Sequence, residues 1–142
     1  MSNIVIGSKF EREFCKLLVE HGFYSLRIPK NAAGQQPADV LAVKGNYHAL
    51  IDCKMVSGMK QGFDFRRVEV NQRTAMKLFA QKGGEGGWFA ICLPTQEIRM
   101  LPLQAIEIAE AQGKKRLTLT ELSSDGFTWS FDEWLRRAET WT

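Results

Sequence analysis

The sequence has few of the residues that build disulfide-linked or zinc-linked folds. Its 142 residues include three cysteines and two histidines, and no two cysteines form a CxxC motif. A disulfide scaffold or a structural zinc site is therefore not expected, and a reducing cytoplasm is the expected compartment. No apolar run approaches the roughly 18 residues of a membrane span, and no secretory signal is recognisable. We expect no membrane partner.

The remaining composition is that of a globular protein, with 44% hydrophobic and 25% charged residues. Internal repeats, low-complexity tracts and linkers are absent, so we expect one domain over residues 1–142. The net charge of +3 permits a nucleic-acid partner without requiring one.

Apolar periodicity and turn residues predict an α/β protein. We expect a helix from Ser8, as its N-cap, to about His21, and a second helix at about Glu69–Lys82 with Ala75, Leu78 and Phe79 on its inner face. Strands are expected at Phe23–Ile28, Val40–Val43, Ala49–Cys53, Trp88–Leu93, Ile98–Leu101 and Leu117–Leu122, and further helices at Gln104–Gln112 and Asp132–Glu139. This order predicts a central mixed sheet flanked by helices.

Two aspartates face each other if Gly45-Asn46 forms a two-residue hairpin turn. That turn pairs Lys44 with Tyr47 and, further along the same two strands, Asp39 with Asp52. Directly opposed Cβ atoms lie about 4.5–5.5 Å apart. Because side chains alternate between the two faces of a strand, Lys54 shares the face of the aspartates.

Opposed carboxylates in an apolar sheet need a proton, a cation or solvent beside them. Mg²⁺ is bound by one or two carboxylates while it keeps several waters, so Asp39 and Asp52 are candidate metal ligands. With Lys54, these residues are typical of metal-assisted phosphodiester hydrolysis. The alternative is structural: Asp39 begins a strand and Asp52 pairs with Lys54.

Basic residues after this motif suggest a polyanionic substrate. Arg66, Arg67 and Arg73 lie in a segment with few acids, and Lys30 lies in a polar loop. Phosphate contacts would give these residues a role in DNA binding. A solvated helix face and a simple connecting loop are the alternatives.

Beyond single residues, the motifs resemble a known family. PAD…IDCK is similar to the signature of the PD-(D/E)xK nuclease superfamily, while GSKFEREF and HGFYSLRIPK resemble the opening helix and strand of Holliday junction resolvases, archaeal-type and bacterial RecU-type. Asn71-Gln72 and KGGEGGWFAI resemble the RecU side, so the resemblance covers about residues 7–93. It implies a restriction-endonuclease-like αβββαβ core, at about residues 7–101, with a C-terminal elaboration at about 102–142.

The resemblance also implies roles for further residues. Asp39 and Asp52 become metal ligands with Glu11 and the backbone carbonyl of Cys53, and Lys54 becomes the catalytic lysine. Arg12, Arg27 and Gln72 become DNA-binding positions. Asp52 stands where these resolvases usually have glutamate. On the residues alone, Glu11 also fits a capping box with Ser8.

We therefore expect a Mg²⁺-dependent endonuclease, with Mn²⁺ able to substitute, that resolves four-way DNA junctions in recombination and repair. A homodimer fits a two-fold symmetric junction, and no organic cofactor is expected. One alternative is a nuclease of the same superfamily that acts on duplex, flap or single-stranded DNA. Another is a non-catalytic DNA-binding module.

Overall fold

The computed structural model describes residues 3–33, 35–58 and 62–141, without the side chains of residues 3–6. The described residues form five α-helices and eight strands, in the order α1 (Asn3–Glu20), β1 (Tyr24–Arg27), β2 (Val40–Lys44), β3 (Tyr47–Met55), β4 (Phe63–Asp64), α2 (Val70–Gln81), β5 (Trp88–Cys92), β6 (Ile98–Pro102), α3 (Leu103–Ala111), β7 (Arg116–Leu117), α4 (Leu119–Leu122), β8 (Trp129–Ser130) and α5 (Phe131–Thr140). None of the described helices is long and apolar enough to span a membrane.

Six of these strands form one mixed sheet in the order β1-β2-β3-β5-β6-β8. Strands β3 and β5 are parallel and the other neighbours are antiparallel. Strands β4 and β7 form a separate two-stranded ribbon. The mixed sheet and its flanking helices confirm the predicted α/β class.

Apolar layers cover both faces of the sheet. Phe14 of α1 and Trp134 of α5 pack with Ile51 on one face. Met76 of α2 and Ile106 of α3 pack with Phe89 on the other. Burial on both sides explains why the strands read as apolar runs rather than as alternating patterns.

The β2–β3 hairpin has the predicted register. Lys44 pairs with Tyr47, and Val40 pairs with Ile51 at the far end of β2. Gly45 has φ +59°, which glycine adopts without the steric cost that a side chain brings. Since a two-residue turn fixes the pairing of both strands, the local sequence determined the position of the acids.

The start of α1 differs from the prediction. The helix begins at Asn3, so Ser8 lies inside it and is not its N-cap. The segment before Ser8 contains no proline, and its single glycine, Gly7, disfavours a helix by only about 1 kcal/mol, so the helix continues through it. The capping-box interpretation of Glu11 is therefore wrong.

The inner face of α2 also differs from the prediction. Gln72 and Met76 are buried, whereas Leu78 is 52% exposed. Residues four apart share one face of a helix, while Leu78 is only two residues beyond Met76 and points away. Phe79, in contrast, packs against the core as predicted, so the prediction was wrong for Leu78 and right for Phe79.

The predicted strand at Leu117–Leu122 is mostly wrong. Only Arg116–Leu117 is extended, and Leu119–Leu122 forms a short helix. The Thr118 hydroxyl accepts from the Glu121 N–H, and the Glu121 carboxylate accepts from the Thr118 N–H. This reciprocal capping box starts a helix where a strand was predicted.

Candidate active site

Strands β2 and β3 bring Asp39 and Asp52 together. Asp39 directly precedes β2, next to the Val40–Ile51 pair that ends the ladder, and its Oδ2 accepts from the N–H of Cys53, the residue after Asp52. Asp39 is 9% exposed and Asp52 is 1% exposed. Two carboxyl groups therefore lie side by side, almost out of contact with water.

This proximity changes the acidity of Asp39. Burial, the negative charge of Asp52 and a hydrogen bond to the Asp52 carboxyl together raise the pKa of Asp39 from 3.8 to about 9. The Cys53 N–H, which donates to Asp39 Oδ2 over 2.7 Å, opposes the increase. Near neutral pH the metal-free pair therefore holds a proton in place of a cation.

Asp52 is held from two sides. Its Oδ1 accepts from Gln72 Nε2 over 3.0 Å, and its Oδ2 lies 2.9 Å from Lys54 Nζ. Within the described part of the chain, Oδ2 nevertheless accepts no hydrogen bond of acceptable geometry. A bound cation would supply the partner that this buried carboxylate oxygen lacks.

The structure corrects the expected position of Gln72. It is 6% exposed and therefore does not lie on a DNA-binding surface. Its Oε1 accepts from the Glu69 N–H over 3.2 Å, while its Nε2 donates to Asp52. The E-x-x-Q capping box at Glu69–Gln72 was the sequence signal that could have identified this inward position.

Glu11 approaches from the other side of the sheet. Helix α1 packs on the face that carries Cys53, whereas Asp52 and Lys54 point to the opposite face by alternation. The Glu11 carboxylate lies 2.7 Å from the Arg27 guanidinium. Across residues 3–33, 35–58 and 62–141, no three His, Cys, Asp or Glu side chains are grouped tightly enough to hold a metal.

The predicted DNA-binding cations lie in three different places. Arg66 and Arg67 line a cavity of about 670 Å³ that also contains Lys54. Arg73 instead binds Glu110 of α3 through two hydrogen bonds. On the α1 side, Arg12 donates to Ser8 Oγ over 3.2 Å, and Lys30 is exposed in the loop after β1. Of the predicted cations, the structure thus places Arg66 and Arg67 beside Lys54.

The donor set at Asp39 and Asp52 fits a hard divalent cation. Two carboxylates and a backbone carbonyl are oxygen donors of the kind Mg²⁺ prefers, and Mg²⁺ commonly keeps waters in its other positions. Burial, and after it the repulsion from Asp52, raise the pKa of Asp39, and a bound cation would relieve that repulsion. The site therefore has the chemistry of a two-carboxylate metal site.

Comparisons with known proteins show what the chain is similar to. The family model described as archaeal Holliday junction resolvase (Hjc) matches residues 2–123. No curated protein matches the chain. Among solved structures, Hjc of Archaeoglobus fulgidus, a Holliday junction resolvase from an archaeal hyperthermophile, superposes with a TM-score of 0.53 at 24% identity. The match covers 68% of this chain and 76% of that one, and it shows a shared fold.

Proposed function

We propose that Asp39, Asp52 and Lys54 form the catalytic site of this chain, which belongs to the archaeal Holliday junction resolvase family and is a junction-resolving nuclease. The observation that carries this assignment is the buried acid pair with an ammonium 2.9 Å from one of its oxygens. Metal-assisted hydrolysis needs both components, since carboxylates hold the cation and a fixed positive group stabilises the charge that develops on the phosphate.

Mg²⁺ is the proposed cofactor, and Mn²⁺ is expected to replace it because both accept carboxylate, carbonyl and water ligands. Asp39, Asp52 and the Cys53 carbonyl are the proposed ligands. Bound there, the metal would lower the pKa of a water and stabilise charge on the phosphoryl group. We propose Glu11 as an additional acid of the metal site, approaching from the α1 side of the sheet. It can act there only when it is released from Arg27.

Lys54 is suited to act on the DNA rather than only to neutralise Asp52. Its side chain is 18% exposed, whereas that of Asp52 is 1% exposed. The ammonium therefore reaches both the buried acid and the adjacent cavity. From this position it can orient the attacking water or hold a non-bridging oxygen of the scissile phosphate.

The substrate partner is branched DNA, as the family implies. We propose a homodimer, because a four-way junction has approximate two-fold symmetry and needs two nicks. We also propose that residues 1–142 form one domain. Strand β8 extends the main sheet beside β6, and Trp134 of α5 is fully buried in the core.

A cleavage assay tests the proposed site. The protein is incubated with a four-way junction, a flap and a linear duplex, each with Mg²⁺, with Mn²⁺ and with chelator. We expect metal-dependent nicking of the junction, and a rate loss of at least about 100-fold in Asp39→Asn and Lys54→Ala. Equal cutting of linear duplex would favour a less specific nuclease. Unchanged rates in both variants would contradict the site.

A further inference from the structure

The β4–β7 ribbon forms a wall opposite the end of β3. Phe63 pairs with Leu117, and Asp64 pairs with Arg116. Phe63 and Leu117 are fully buried and anchor the ribbon in the core that α2 and α3 cover. Because side chains alternate along a strand, Asp64 and Arg116 point away from that core and into the cavity beside Lys54.

A close backbone contact fixes this wall. Gly62 has φ +59°, and a Cβ atom at this position would lie 2.0 Å from the Leu117 carbonyl oxygen. Only glycine permits both the backbone conformation and the approach. Backbone packing within the ribbon therefore sets the position of β7, the strand that carries Arg116.

The cavity between Lys54 and the ribbon is strongly cationic. Of the side chains that line it, Lys54, Arg66, Arg67 and Arg116 are basic and Asp64 is acidic. The whole protein carries a net charge of only +3, so positive charge is concentrated here. Arg116 was not among the predicted DNA-binding residues, and it lies 62 residues after Lys54 in the sequence.

Asp64 restrains two of these cations. Its Oδ2 lies 2.9 Å from Arg66 Nη2 and 4.0 Å from Arg116 Nη2. Hydrogen bonds from Arg66 lower the pKa of Asp64 to about 2, so this carboxylate stays charged at any working pH. Arg66 and Arg116 are 89% and 52% exposed at the side chain, and their other donors face solvent and the cavity.

We infer that this cavity is a subsite for a backbone phosphate of the DNA strand being cut, with Arg116 as its principal ligand and Asp64 as a competing negative charge. The inference rests on the proposed function, because it places the phosphate next to one held at Lys54. A guanidinium binds a phosphate through two parallel N–H donors. When a phosphate enters, it replaces Asp64 as the acceptor for Arg66 and as the counter-charge of Arg116.

Junction binding tests the subsite apart from cleavage. Affinity is measured without divalent metal in an Asp39→Asn background, at several salt concentrations. Each lost phosphate contact makes the slope of log affinity against log salt less steep by about 0.9. Between ~50 and ~200 mM salt, the affinity of such a variant therefore falls about 3.5-fold less than that of the wild type. We expect this change of slope for Arg116→Ala and a wild-type slope for Arg116→Lys. Arg136→Ala is the matched control, since Arg136 is an exposed arginine of α5 that does not line the cavity.

Asp64→Asn is expected to change the affinity for the junction in the direction opposite to Arg116→Ala. Removal of the competing charge is expected to tighten junction binding by about two- to fivefold, the range of a partly exposed charge interaction. A salt slope for Arg116→Ala equal to that of Arg136→Ala, or weaker binding by Asp64→Asn, overturns the inference. Wild-type cleavage of junctions alongside such a result would refute the subsite alone, whereas failure of the wild type to cleave would refute the proposed function.

Discussion

Gln72 Nε2 donates to Asp52 Oδ1 over 3.0 Å, so the first turn of α2 holds the buried acid of strand β3. Removal of this donor takes away the hydrogen bond that α2 makes to Asp52, while Lys54 stays beside Oδ2. An unsatisfied buried carboxylate costs about 1–3 kcal/mol.

Gln72→Met is therefore expected to lower the free energy of unfolding by about 1–3 kcal/mol and to slow junction cleavage by at least about tenfold. Denaturant unfolding and single-turnover cleavage measure the two effects. Gln81→Met is the control, because Gln81 is an exposed glutamine at the end of the same helix. Equal behaviour of the two variants would contradict a role for Gln72 in positioning Asp52.

Asp39→Asn is expected to stabilise the metal-free protein at pH 7–8. The pKa of Asp39 in the folded protein, about 9, lies above the unfolded value of 3.8. The folded state therefore keeps a proton that the unfolded state loses, and stability falls as pH rises from about 4 towards 9. Asparagine cannot ionise, so the variant gains at least about 1 kcal/mol over this range.

Thermal unfolding in chelator across pH 4–9 measures the difference, with the exposed Glu20→Gln variant as control. Added Mg²⁺ should raise the melting temperature of the wild type at pH 8 and leave Asp39→Asn nearly unchanged. An Asp39→Asn protein that is less stable than the wild type in chelator at pH 8 would show that the acid pair does not hold the proton.

The Glu11→Gln variant tests whether the acid on the α1 side of the sheet contributes as much to catalysis as the Asp39–Asp52 pair. The Glu11 carboxylate is paired with Arg27 at 2.7 Å and packs from the α1 side. We expect the Mg²⁺ concentration that gives half-maximal cleavage to rise by less than about tenfold, while Asp39→Asn loses at least about 100-fold in rate. Glu13→Gln, on the exposed side of α1, is the control. A complete loss of activity in Glu11→Gln would place Glu11 among the direct ligands.

Arg137→Ala is expected to show that the C-terminal helix belongs to the same folding unit. Glu85 is 4% exposed, and its Oε2 lies 2.6 Å from the Arg137 guanidinium. Its Oε1 accepts from Trp88 Nε1 and from the Tyr47 hydroxyl. Without Arg137, a buried carboxylate loses its cation, which costs about 3 kcal/mol.

Urea unfolding measures this loss, and the neighbouring Arg136→Ala variant serves as control because Arg136 is exposed. A single transition in both proteins, shifted only in Arg137→Ala, is the expected result. Two separate transitions would contradict the proposal that residues 1–142 are one domain.

The sequence by itself determined the centre of the candidate site. The Gly45-Asn46 turn sets the pairing of β2 with β3, and alternation then places Lys54 beside Asp52. Each step spans a few residues of one hairpin, so neighbouring backbone geometry was enough. The wrong predictions at Ser8 and Leu78 also concern local structure. Helix α1 extends through the expected N-cap at Ser8, and the position of Leu78 around the axis of α2 turns its side chain away from the core.

Only the tertiary structure decided which distant residues complete the site. Gln72 turns inward to Asp52, Glu11 binds Arg27 on the far side of the sheet, and Arg116 reaches the cavity through the ribbon with Asp64. These contacts join elements 16 to 52 residues apart in the chain. They depend on how helices and strands pack in three dimensions, which no short-range periodicity encodes.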